Sequence, residues 1–278
     1  MANARQLRLA QILREFREGA GFDQVEVAKR ARVSRSSIGH YESAERCPGR
    51  DTLDRLLDVY EVDEKTRSRI QQLRADSHKT GWWTLHSLPE WFTPYVGFEA
   101  DAVEAFNFET TFVPGLLQTR DYARVVHETT RTPLDPDTVE DQVEARIRRQ
   151  SRLSQKDPLI LQAVVAEEAL IRPMGTDAIM AEQLQHLLDL SNRGNIHLRV
   201  LPISAGGSGV MQCGFMVLRF NDHADIAFVD TPLSGSVIDA PQQTAELART
   251  FSHLQSFSLS DTDSRSALTT LAAKYEQA

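Results

Sequence analysis

Apolar residues recur at helical spacing from residue 9 to residue 73 and then change period. Leu9, Ile12, Leu13 and Phe16 form an i, i+3, i+4, i+7 stripe that ends at Gly19-Ala20-Gly21. Two short helices follow, marked by repeated start signals. Asp23 can cap the first, Glu26 sits three residues on as in a capping box, and Phe22 and Val27 flank it as a hydrophobic staple. Ser34 can cap the second, with Val33 and Ile38 as the equivalent staple. Starts this close together leave room only for a tight turn, which is helix-turn-helix geometry. A fourth helix is predicted after Pro48-Gly49 from Leu53, Leu56, Leu57 and Tyr60, and a fifth over 64–75 from Ile70 and Leu73. Five short helices of this kind predict a compact domain over residues 1–76.

Over 77–97 the period breaks, with two prolines and a cluster of Trp82, Trp83, Trp91, Phe92 and Tyr95. That is too aromatic for a free linker, and it reads as a connector packed on the second domain. Residues 98–278 then alternate element types. Extended segments are predicted over 102–112, 159–165, 196–201, 213–220, 226–230 and 235–238. Helices are predicted over 119–129, 136–153, 176–190, 241–257 and 262–275, with a turn at Pro114-Gly115. Helices framing a group of strands predict a mixed α/β, or α+β, domain.

Charge divides along the same boundary. The whole chain carries a net charge of −8, which at first argues against a nucleic-acid partner. Residues 1–79, however, hold 16 basic against 13 acidic residues, and the remainder holds 15 against 26. Local neutralisation of phosphates decides affinity for DNA, so a mildly basic head on an acidic body fits a DNA reader joined to something else. No apolar run approaches the roughly 20 residues of a membrane span. The first residues lack a signal-peptide pattern, and Cys47 and Cys213 have no metal-type spacing. A reduced, cytoplasmic protein is the expectation.

A recognition helix brings its first turns to base edges while flanking groups hold phosphates. In the helix after Ser34, Arg35, Ser36, Gly39 and His40 point outward, and Ile38 and Tyr41 face the core. Arg35 can pair bidentately with guanine O6 and N7. Ser36 and Ser37 can donate to bases or phosphates, and His40 can reach either. Gln24 offers a backbone N–H and an amide to a phosphate. Arg14, Arg17, Lys29, Arg46 and Arg50 are candidate phosphate clamps, or else solvated surface charges. Cys47 reads as a small packing residue rather than a redox sensor, since no second cysteine lies near it in sequence.

With Gln24, Ala28, Val33-Ser34, Ile38 and Glu42 in place, residues 9–60 resemble the XRE family of phage-repressor-like regulators. Arg32 stands where that family commonly has glycine. A bulky residue at positive φ would be strained, so an ordinary backbone conformation is expected there. From Tyr95 onward the segments Tyr95-Val96-Gly97-Phe98-Glu99, Val113-Pro114-Gly115-Leu116-Leu117-Gln118-Thr119, Asp121-Tyr122-Ala123-Arg124, Arg149-Gln150, Arg172-Pro173-Met174-Gly175, Gln183-Leu184, Val200-Leu201-Pro202 and Gly214-Phe215 are similar to the C-terminal domain of WhiJ-like, antitoxin-like actinobacterial XRE regulators. Asp230 replaces an expected glutamate. The resemblance implies an all-α lambda-repressor-like helix-turn-helix domain followed by the mixed α/β domain. It also implies a transcription factor that binds a small BldB-like partner protein encoded nearby, with no catalytic residues and no cofactor. A homodimer on double-stranded DNA is expected, because repressor-type readers use two half-sites.

Two other readings compete with this one. An enzyme in the second domain finds little support. The glycine-rich 205–209 lacks the ending of a phosphate loop, the histidines at 86, 127, 186, 197, 223 and 253 are scattered, and adjacent Glu167 and Glu168 diverge, with Glu168 the one expected to cap or pair. A ligand-sensing domain would use the aromatic cluster as a pocket lining, whereas the preferred reading makes that cluster the seam between domains.

Overall fold

The computed structural model describes residues 4–77, 81–129, 134–207, 212–221, 224–231 and 234–277. Contacts divide the chain into two units, 1–84 and 85–278, with the division inside the aromatic segment. Trp82 and Trp83 meet edge to face in the first unit. Trp91, Phe92 and Tyr95 instead gather around Phe228 in the second. The aromatic run therefore does not act as a single piece.

The first unit is all helical: α1 (Ala4–Gly19), α2 (Gln24–Ala31), α3 (Arg35–Glu42), α4 (Arg50–Val59) and α5 (Glu64–Asp76). Its core joins Leu9 and Leu13 to Val27, Ala28, Ala31, Ile38, Tyr41, Leu53, Leu56, Leu57 and Ile70. Each fully buried leucine contributes about 1.5–3 kcal/mol, so this small domain rests on its apolar stripes. Asp23 caps α2 by accepting from the Glu26 N–H, and Ser34 caps α3 by accepting from the Ser37 N–H. The capping box is only half formed, because the Glu26 carboxylate pairs with Arg30 one turn on.

The turn between α2 and α3 corrects one expectation. Arg32 does not relax; it is left-handed, with φ 56° and ψ 48°. In that conformation the Val33 N–H closes onto the Ala28 carbonyl at 2.9 Å, the paired-bond ending that terminates many helices. Satisfying the last carbonyls of α2 outweighs a left-handed penalty of about 1–2 kcal/mol. Glycine would avoid that penalty while adding unfolded-state entropy of about 0.4–1 kcal/mol. Arg32→Gly should therefore raise stability by about 0.5–1 kcal/mol, read as a higher urea midpoint. A lower midpoint would show that the arginine side chain contributes more than the backbone loses.

The second unit contains α6 (Thr93–Asp101), β1 (Glu104–Glu109), α7 (Arg120–Thr129), α8 (Pro136–Arg149), β2 (Ile160–Ala166), α9 (Glu167–Ile171), α10 (Asp177–Leu190), β3 (Ile196–Leu201), β4 (Phe215–Arg219), β5 (Ile226–Asp230), β6 (Gly235–Ile238), α11 (Pro241–Phe257) and α12 (Asp261–Glu276). The strands form one six-stranded sheet ordered β3-β2-β1-β4-β5-β6. The β3-β2-β1 half is parallel and the β1-β4-β5-β6 half antiparallel, giving an α+β domain. Ala105 to Phe108 are buried without alternation, as expected of a central strand covered on both faces. On one face Phe106, Phe108, Val164, Phe215 and Val217 pack against Phe251 and Leu254 of α11.

The outer edge of β3 is closed by the chain itself. Ser264 accepts from the Val200 N–H, and the Leu259 N–H donates to the Val200 carbonyl. At Val200 this removes a free donor and a free acceptor from that edge.

Two helices have no predicted counterpart: α6, which begins inside the segment read as an aperiodic connector and runs on to Asp101, and α9. Five successive residues of α6, Tyr95 to Glu99, are buried, so no amphipathic period exists to reveal the helix. α9 has only five residues, too few to show a period. The helix predicted over 136–153 ends at Arg149 and continues as a 3₁₀ turn. Ser208, Gly209 and His223 lie outside the described residues.

Candidate nucleic-acid interface

α3 sits with Ile38 and Tyr41 in the core, which turns Arg35, Ser36 and His40 to solvent. Ser37 is half-buried behind them. At the start of the helix, the Ser34 hydroxyl lies within hydrogen-bond distance of both Ser36 and Ser37 hydroxyls. These hydroxyls have rotational freedom to turn toward a base or phosphate. His40 lies 3.8 Å from the Glu45 carboxylate, which sits beside the outward face. Lys29, Arg46 and Arg50 are all exposed around the same helices.

Three of the expected DNA contacts have another role. Glu42, at the end of α3, is 5% exposed and gathers groups from α1 and α2. Arg17 donates to both its carboxylate oxygens, at 2.6 and 3.2 Å, and to the Phe22 carbonyl. Gln24 Nε2 donates to the same carboxylate at 3.0 Å. Arg14 reaches the Glu42 carbonyl at 2.7 Å. Arg17 is therefore a structural strut, and Gln24 and Arg14 act first as braces for the recognition helix. A buried carboxylate left without these donors would be costly, which is why the arginine turns inward. Arg55, not singled out in the sequence, braces α2 by donating to the Ala31 carbonyl at 2.9 Å. Cys47 is half-buried, with its sulfur 3.5 Å from the Ser77 hydroxyl. Cys213 is exposed.

In the second unit, the residues 113–119 form a buried polar knot between β1 and α7. Gln118 donates to the Val113 carbonyl and accepts from Arg146. Gln183 accepts from the Thr119 N–H and donates to the Leu117 carbonyl. Gln150 donates to the Gln118 carbonyl, and the Tyr122 hydroxyl accepts from the Val113 N–H. Side-chain amides thus satisfy a loop that could not otherwise be buried. Beneath it, Arg149 binds Glu99 through two bonds of 2.8 and 2.7 Å, and Tyr95 donates to the same carboxylate. Glu167, rather than Glu168, takes a structural bond, from the Ile203 N–H.

Glu109 lies at the end of β1, so close to β4 that a Cβ on Gly214 would stand 2.7 Å from its carboxylate. Burial pushes the Glu109 carboxyl up to about 8, against the lowering effect of its bond from Asn107, and the nearby Asp230 adds to the rise. The native state then holds a proton that the unfolded chain releases near 4.5, so stability falls as pH rises between these values. Glu109→Gln should flatten that dependence. Between about pH 6 and about pH 8.5 the unmodified protein should lose more melting temperature than the variant. Equal slopes would mean that the carboxyl titrates normally.

Among the described residues, no group of three or more His, Cys, Asp or Glu side chains could hold a metal ion. No helix there is long and apolar enough to cross a membrane. Residues 8–70 match the family described as Helix-turn-helix domain. Residues 92–270, more than half of the chain, match the family described as Domain of unknown function (DUF5753). No curated protein and no solved structure matches the chain.

Proposed function

We propose that this chain, which belongs to the DUF5753 family and carries a helix-turn-helix domain, is a sequence-specific transcriptional regulator. It is a cytoplasmic, antitoxin-like member of the XRE regulators and a binding protein rather than an enzyme. One observation carries the DNA reading. Ile38 and Tyr41 anchor α3 so that Arg35, Ser36 and His40 face solvent at the positions that meet base edges. The second domain supplies dimerisation and a face for a small BldB-like partner, which shifts the dimer between DNA-competent and incompetent arrangements.

Selection of full-length protein on random duplex DNA should enrich two half-sites about 10 bp apart, centre to centre. A fragment spanning residues 1–84 should bind the same sites far more weakly, having lost its dimer contacts. Failure to enrich any sequence would sink the DNA reading. Equal affinity of fragment and full chain would remove dimerisation from the second domain. Adding the partner should change the fraction of DNA bound; no change would remove the partner from the switch. A second reading, control by a small molecule, is favoured by a cleft in the second domain lined by Trp91 and Phe92 on one side and by Gln142, Arg146 and Arg149 of α8 on the other.

A further inference from the structure

Gly39 lies on the outward face of α3, four residues after Arg35 and three after Ser36, so the three share one side of the helix. Nothing inside the protein calls for a glycine there. A Cβ on Gly39 would meet nothing within 4 Å beyond its chain neighbours and its own helix backbone, among the described residues. Its backbone is helical and holds no positive φ. Other glycines in open space have local reasons: Gly19 ends α1, Gly49 precedes α4, and Gly21 and Gly206 hold positive φ. A glycine in mid-helix weakens folding roughly two- to fivefold relative to alanine. The fold would accept alanine and gain by it, so the missing side chain answers to something outside the chain.

What the recess lacks narrows what meets it. In mid-helix the backbone groups of Gly39 are committed to the helical ladder, its carbonyl to the Ser43 N–H at 2.9 Å. Gly39 therefore presents Cα–H surface and no side-chain donor or acceptor. Arg35, Ser36 and His40 flank it, all exposed and all polar. A polar base edge pressed against the recess would leave its own donor or acceptor unpaired. The apolar group that a base pair presents in the major groove is the thymine 5-methyl.

We propose that the recess at Gly39 receives the 5-methyl group of a thymine in the operator, so that an absent side chain fixes one base. The inference rests on the DNA-binding reading of α3 and names one base that this helix reads.

Affinity of the full-length protein for its selected operator, with each thymine replaced in turn by deoxyuridine, tests it. One replacement should weaken binding about fourfold, the worth of one buried methyl. Gly39→Ala should weaken binding to the thymine operator about tenfold or more, since its Cβ and the thymine methyl compete for one space. The variant should bind the deoxyuridine operator more tightly than the thymine operator, a reversal of preference. Hydrogen exchange of core amides in α1 to α5 of the full-length variant should slow about two- to fivefold, because alanine stabilises the helix. Unchanged operator affinity of Gly39→Ala overturns the proposal. So does an operator in which every thymine tolerates deoxyuridine, or an equal loss by both proteins from the replacement. Unchanged or faster exchange overturns it too, by giving Gly39 a role inside the fold. If the unmodified protein selects no operator, the DNA-binding reading fails and this inference falls with it, whereas the other outcomes leave that reading standing.

Discussion

Arg35→Ala should weaken binding to the selected operator by about 1–3 kcal/mol, roughly five- to 150-fold, and relax the preference at one base pair. The expectation follows from where the side chain stands. Arg35 opens α3, is exposed, and among the described residues makes no side-chain hydrogen bond or ion pair that would turn it inward. A guanidinium at that place can read guanine with two parallel bonds, and truncation removes both. Lys29→Ala supplies the contrast. Lys29 is exposed outside α3, so its loss should weaken all sequences alike and lower the salt slope by about 1. Affinity for operator and random duplexes, each measured over a salt series, separates the two. If Arg35→Ala lowers both affinities equally, Arg35 is a phosphate clamp and the base reading lies elsewhere on α3.

The largest loss of stability should come from the second unit. Arg149→Met should destabilise it by about 3–5 kcal/mol, because Glu99 would be left buried without its counter-charge, with Tyr95 as its remaining side-chain donor among the described residues. Both members of the pair are almost wholly buried, at 6% and 1% exposure, so water cannot replace the lost guanidinium. Adding Glu99→Gln should restore a large part of the loss, since the orphaned charge disappears while the Tyr95 bond partner remains. Urea midpoints of the two single variants and the double variant measure this. Additive losses in the double variant would mean that the two side chains pack independently rather than as a pair.

These residues also show which parts of the molecule were legible in its sequence. β3, β5, β6 and α11 have the ends predicted for them, because their apolar runs stop at turn-forming residues or at a proline that starts a helix. α6 was hidden because burial on all sides erases periodicity. Arg32 departs from the sequence expectation because the two carbonyls that its left-handed turn satisfies outweigh the sterics of its side chain. On the DNA face, direction was readable for α3 alone. Its alternation of Ile38 and Tyr41 with Arg35, Ser36 and His40 fixes which side faces out. For Arg14, Arg17 and Gln24, a basic or amide side chain near the motif says nothing of where it points. Their direction is set by Glu42, 18 to 28 residues away in sequence, and only the fold brings that carboxylate to them. Residues 113–119 stood out as a pattern without a role, since their bonding partners Arg146, Gln150 and Gln183 come from later helices.

The seat of α3 on Glu42 separates what the head reads from how it holds its reader. Arg14, Arg17 and Gln24 fix the tilt of that helix from behind, and none of them stands on its outer face. Arg35, Ser36 and His40 can thus be exchanged during evolution without disturbing the seat. On the proposed reading, descendants of this chain would acquire new operators by rewriting a few exposed letters, while inheriting unchanged the angle at which those letters are presented.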